Sequence, residues 1–131
     1  MRHRNLIELH RISMAQIEHA LADPELAEAL STLPDVSEPR RRQLLYINAQ
    51  YSTIMLHYRV GVLNRGELLG HLKVLSMNPI VAEYWRLTSP HRRFLPTESL
   101  EARIGRAVDV IMDERLEDLD EWWVVGPAPE V

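Results

Sequence analysis

The sequence contains no cysteine. That excludes disulfides, thiolate nucleophiles and cysteine-bound zinc, and it fits a cytoplasmic location. Glycine is scarce, at five residues, and none fall in the spacing of a phosphate-cradling loop. The Gly-x-Ser-x-Gly elbow that presents a hydrolase serine is missing, as is the His-Glu-x-x-His pair of a helical zinc site. Positive charge is not in excess: 15 Lys and Arg face 19 Asp and Glu, for a formal net charge of −4. Nucleic acid is therefore not an expected partner. Apolar runs are short, and none approaches the ~20 residues that span a bilayer. Arg2, Arg4 and Glu8 interrupt any leader-like stretch at the start. No membrane partner is expected. No run keeps the two-residue period of a strand for more than a few positions, and no segment repeats.

What is present is a chain of 131 residues, 46% hydrophobic and 26% charged, ordinary values for one globular domain. At that length a single core buries roughly two-thirds of the unfolded surface. Eight prolines act as punctuation. From 5 to 22 the apolar residues Leu6, Leu9, Met14, Ile17, Ala20 and Leu21 recur at helical spacing. Asp23-Pro24 is a cap followed by a first-turn proline, opening a short helix over 24–33. Ser37-Glu38-Pro39 opens the longest helix, over 38–60, with Gly61 as its stop. Two apolar stripes on that helix, one through Leu44, Ile47, Tyr51 and Met55 and one through Leu45 and Leu56, predict that it is central and the most buried element. Asn64-Arg65-Gly66-Glu67 reads as a capping box, and Asn78-Pro79 as a further cap. Residues 88–96 read as a loop. A last long helix is expected from Pro96-Thr97 to about 119, buried through Leu100, Ile104, Val108, Ile111 and Leu116. The expectation is an all-α fold, a compact bundle of about five to six helices with a long central helix. One domain covers 1–121, and a non-helical apolar tail covers 122–131.

Candidate chemistry is sparse. His10 lies in the apolar stripe of the first helix, His57 on the polar face of the central one, and His71 on the next. None of the three has a histidine or carboxylate four residues on, so no metal site is expected. Asn48 shares a stripe with Leu44 and Tyr51, and a buried amide needs partners or costs ~1–3 kcal/mol. Arg40, Arg41 and Arg42 stand in a first helical turn, where exposed cations oppose the helix dipole by ~0.3–1 kcal/mol each. They call for an acid: Glu38, the acidic run from Asp113 to Glu121, or a bound partner. Tyr84, Trp85 and Arg86 precede His91, Arg92 and Arg93, which groups the residue types enriched at binding hot spots. Trp122 and Trp123 in an apolar tail, together with the uneven charge runs, point to a homodimer.

Four segments together, Arg42-Gln-Leu-Leu-Tyr-Ile-Asn-Ala-Gln-Tyr-Ser52, Tyr58-Arg-Val-Gly-Val-Leu63, Glu83-Tyr-Trp-Arg86 and Asp23-Pro-Glu-Leu-Ala27, resemble an actinobacterial family of short helical proteins of unassigned function. The likeness runs over about residues 5–116. Members often carry membrane helices ahead of this region, but no membrane role is expected here. In size and class the chain is also similar to small cysteine-free helical proteins of lanthipeptide pathways. Some of these form lysinoalanine, in which a lysine amine adds to a dehydroalanine. That likeness implies a cofactor-independent peptide-cyclising enzyme acting on a peptide substrate. The alternative is a non-catalytic helical binding or regulatory module. For either, the expected site combines His57 and His10 as candidate bases with Tyr58, Tyr84, Trp85, Arg92 and Arg93 as substrate-binding groups, between the central helix and the basic aromatic segment. No cofactor is called for.

Overall fold

The computed structural model describes residues 2–113. Among these there are seven helices and no strand: α1 (Arg2–Ala22), α2 (Pro24–Leu30), α3 (Glu38–Arg59), α4 (Arg65–Leu75), α5 (Pro79–Leu87), α6 (Ser89–Arg92) and α7 (Leu100–Met112). The fold is all-α, as the periodicity implies. The apolar tail, Leu116 and the acidic run beyond Asp113 lie outside the described residues. No helix among the described residues is long and apolar enough to cross a membrane.

The helix starts follow from their caps. An Asp23 carboxylate oxygen accepts from the Glu25 amide at 3.0 Å, Ser37 Oγ from Arg40 at 3.3 Å, and Asn78 Oδ1 from Ile80 at 2.8 Å. At α4 the capping box closes both ways: Asn64 Oδ1 accepts from the Glu67 amide at 2.8 Å, and Glu67 accepts from the Asn64 amide at 3.0 Å. Each bond satisfies an amide that has no partner within its own helix. The stop after α3 is a Schellman turn. Gly61 takes a φ of 86°, while the Val62 amide reaches His57 O at 2.8 Å and the Gly61 amide reaches Tyr58 O at 3.2 Å.

Three sequence expectations need correction. Residues 88–96 are not all loop, because Pro90 fits a first turn and Ser89–Arg92 close one turn of helix. The last helix begins at Leu100, three residues beyond the expected start. There Ser99 donates its hydroxyl to Pro96 O at 2.7 Å while Oγ accepts from the Ala102 amide at 3.1 Å, which makes Ser99 the cap. Leu9 is 62% exposed. The buried edge of α1 runs instead through Leu6, His10, Met14, Ile17 and Ala20, at spacings of three and four that place His10 on the packed face.

The helix order in the core also differs. α3 passes between two clusters. Near its start Leu45 meets Ala20 and Ala27, and farther along Tyr51, Ile54, Met55 and Tyr58 meet Leu68, Leu72, Trp85, Ile104 and Val108. Since α3 serves both clusters, it offers each only part of its surface, and Met55 stays half-buried. The most buried helix is α7, where Arg103, Ile104, Gly105, Ala107, Val108, Val110 and Ile111 are all buried. Arg59 and Glu101 pair to tie the end of α3 to the first turn of α7, where an acid also suits the helix dipole. Ile104→Ala should therefore cost about 2–5 kcal/mol in chemical denaturation, and Met55→Ala clearly less. Equal losses at the two positions would contradict a core centred on α7.

Candidate functional site

The residues flagged after position 84 are assembled around one indole. Trp85, 6% exposed, projects from α5 into the larger cluster. Its ring meets Tyr51 of α3 edge-on, with centroids 5.5 Å apart and planes at 67°. Its Nε1 donates to Asp109 Oδ1 of α7 at 2.7 Å. The Arg92 guanidinium lies over its other face, 3.5 Å from the ring centroid. Arg92 also donates to Thr88 Oγ1 at 2.6 Å and to Trp85 O at 2.7 Å. The Thr88 hydroxyl donates in turn to Tyr84 O at 2.8 Å. Tyr84, Thr88 and Arg92 follow each other at i+4, so α5 and α6 present them as one ladder.

From Tyr84 the network crosses to the central helix. The Tyr84 hydroxyl donates to Asn48 Oδ1 at 2.8 Å. The amide that the sequence places on an apolar stripe is thus partnered, and its two N–H donors remain without a hydrogen bond among the described residues. Burial raises the phenols of Tyr84 and Tyr51 above their usual range, with Arg92 pulling both the other way. Burial also lowers Arg92, opposed by Asp109 and the two tyrosines. Both phenols are neutral donors at physiological pH, and Arg92 keeps its charge.

Two cavities adjoin this network. One, of about 380 Å³, lies between α1, α3 and the chain after α2. The other, of about 280 Å³, lies toward α7. Asn48, Tyr84, Thr88 and His91 line both, and so form a common wall. A third cavity of about 310 Å³ is lined by Arg92, Arg93, Arg106 and Asp109.

The remaining expected site residues lie elsewhere. His10 Nε2 sits 3.1 Å from Thr53 Oγ1. Thr53 sends its own proton to Ala49 O at 2.9 Å, so the hydrogen between His10 and Thr53 must come from His10 Nε2. Burial first, and His57 second, hold His10 below the ordinary imidazole value. His57 is exposed one turn further along α3. The two histidines are thus neighbours on the α1–α3 face, and neither lines the three cavities described. Tyr58 is buried with Leu68 and Leu72 in the larger cluster. Arg93 is exposed on the rim of the third cavity. The histidine that lines the paired cavities is His91. It is visible in the sequence beside Arg92 and Arg93, but nothing local marks it. No group of three His, Asp or Glu among the described residues could hold a metal ion.

Arg92 is therefore structural, while the side chain of Arg93 makes no hydrogen bond or ion pair among the described residues. Arg92→Ala should lower stability by about 1–3 kcal/mol, through loss of the stacked cation and of two hydrogen bonds, and Arg93→Ala should leave it unchanged. Thermal melts of the two variants check this. His10 generates a pH dependence. Its folded value lies below the unfolded 6.5, so the unfolded chain takes up the proton first. Its contribution is intact above about pH 6.5 and is lost as pH falls toward the folded value. Between pH 7.5 and 5 the wild type should lose more stability than His10→Gln. Parallel curves would show that the imidazole is not the group responsible.

The chain was compared with known proteins. No curated protein matches it, and no solved structure does. A match to DUF6082, described as a family of unknown function, runs over residues 1–124. With nearly the whole chain covered, the protein belongs to that family of unassigned function.

Proposed function

We propose that this domain is a non-catalytic binding module for a short peptide or peptide-like ligand, held in the cleft between α3 and the α5–α6 corner. The observation that carries this reading is the common wall of the two cavities. Tyr84, Asn48 and Thr88 are fixed by bonds to one another and to the α5 backbone, and Arg92 braces Thr88. A wall ordered before the ligand arrives lowers the entropic cost of binding. Asn48 retains amide donors for a peptide carbonyl, and the adjoining volumes are of small-ligand size. Titration with N-acetylated dipeptides, followed by amide chemical shifts, should perturb Asn48, Tyr84, Thr88 and His91 first. Tyr84→Phe, which frees Asn48, should weaken binding several-fold. Shifts confined to other surfaces would dismiss the cleft.

A second reading is favoured by His91 alone. Its imidazole sets a ring nitrogen in the common wall, beside both ligand-sized volumes. In lysinoalanine formation the lysine nitrogen bonds to the dehydroalanine β-carbon, and a proton passes to the α-carbon, with no redox change. Orientation supplies much of such a barrier. On this reading the chain is an actinobacterial, cytoplasmic lanthipeptide-maturation protein. Cross-link mapping after incubation with a dehydrated precursor peptide decides it, because cyclisation leaves the mass unchanged, and His91→Ala should abolish the cross-link. Exposed Val62, Val74, Met77 and Phe94 are in keeping with a homodimer, which sedimentation at high concentration would reveal.

A further inference from the structure

The three consecutive arginines at the start of α3 have different surroundings. Arg40 is matched: its Nε lies 3.1 Å from Glu83, and its Nη1 donates to Gln43 at 3.1 Å. Arg41 is not. Its Nε is buried and has no hydrogen-bond partner, and no carboxylate pairs with its guanidinium among the described residues. A buried donor left without a partner is costly, more so on a charged group. A cation in the first turn of a helix adds the dipole penalty. Both costs fall on a side chain that lines the 380 Å³ cavity, and among the described residues no Asp or Glu lines that cavity with it.

We propose that this cavity binds a small amphipathic carboxylate, with the Arg41 guanidinium as partner of the acid group. Its lining divides accordingly. Ile17, Leu44 and Leu45 supply apolar wall, while Ser31 and Thr32 bring neutral hydroxyls near the cation. One guanidinium with neutral donors balances a single negative charge, and its planar fork matches a carboxylate. Inorganic phosphate brings more than one negative charge and no hydrocarbon for the leucines. The bound acid pairs with the terminal nitrogens of the guanidinium and offsets its charge at the helix start. The site forms one half of the proposed peptide cleft and rests on that reading only for its neighbourhood. A free acid tests it without any peptide.

The experiment is calorimetric titration of the full chain with octanoate, octan-1-ol and inorganic phosphate. Saturable binding of octanoate is expected, at least tenfold tighter than octan-1-ol, with no displacement by phosphate. Arg41→Met should weaken octanoate at least tenfold and Arg41→Lys less, while Arg42→Met, on the neighbouring side chain, should bind as wild type. Without ligand, Arg41→Met should melt at the wild-type temperature or above it, and only the wild type should gain from octanoate. Absence of octanoate binding, equal binding of the alcohol, displacement by phosphate, or full affinity in Arg41→Met would each overturn the proposal. If that variant fails to fold, the acid-against-alcohol comparison on the wild type and the Arg41→Lys titration decide the matter. Octanoate binding at Arg41 without dipeptide binding would reject the peptide module and leave this site standing. Dipeptide binding indifferent to Arg41 would do the reverse.

Discussion

The indole of Trp85 is the contact on which the larger half of the molecule depends. Three elements hold it: Tyr51 from α3 meets the ring edge-on, Arg92 from the turn of α6 lies over it, and Asp109 from α7 takes its nitrogen. An aromatic ring of this size dominates local burial, but burial alone would not orient it. The orientation comes from the Nε1 hydrogen bond and from the cation laid on the ring. Because Arg92 also holds Trp85 O and Thr88 Oγ1, a one-turn helix too short to be stable alone is clamped to the end of α5. The rim of the cleft is rigid for that reason, although it is built from segments that a helix count would treat as connectors.

The cleft lies where two packing units meet. α3 meets α2 near its start and α4 and α7 near its end, while α1 runs along it from Leu45 to Thr53 and α5 meets it through Glu83, Tyr84 and Trp85. Side chains that face the junction belong fully to neither cluster. Asn48 is one of them: its position on the stripe brings it inward, and the junction leaves room for it to remain polar. The same geometry explains why the larger cavity carries both leucines and hydroxyls. An all-apolar junction would close, whereas one with a fixed amide, a phenol and an arginine holds open space that suits a ligand of mixed character.

Charge is distributed with the same economy. Arg40 and Arg59 each find an acid on another helix, and Arg92 finds a π face and two oxygens. His10 is kept in the neutral form preferred by its half-buried site, with one nitrogen committed to Thr53. Against that background Arg41, placed beside leucines with a buried and unbonded Nε, stands out as a cation whose compensation the described residues do not contain.

Much of the secondary structure was legible from local sequence. Asp23-Pro24, Ser37, the Asn64 to Glu67 box, Asn78-Pro79 and Gly61 mark helix ends because capping is decided within about four residues. Where a local signal was ambiguous, as with Pro96 against Ser99, the choice turned on a single hydroxyl bonding in both directions. The ladder of Tyr84, Thr88 and Arg92 was not legible, because residues 88–96 read as a loop and their i+4 spacing counts only once Ser89–Arg92 close a helical turn. Other features depended on which helices cross and where. The sequence places His10 and Asn48 on packed faces, but only the crossing of α1 over α3 gives His10 its Thr53, and only α5 brings Asn48 its Tyr84. The two apolar stripes of α3 looked like deep burial. They are instead the two contact surfaces of a helix shared between clusters, and the centre belongs to α7, whose Ile104, Ala107, Val108 and Ile111 all join the larger cluster. By itself the sequence determined an all-helical chain, most of its helix starts and most of the residues that face inward, since these follow from propensity, capping and period. Only the tertiary structure decided which arginine would be stacked, which paired and which left facing a cavity, because that depends on distances between residues far apart in the chain.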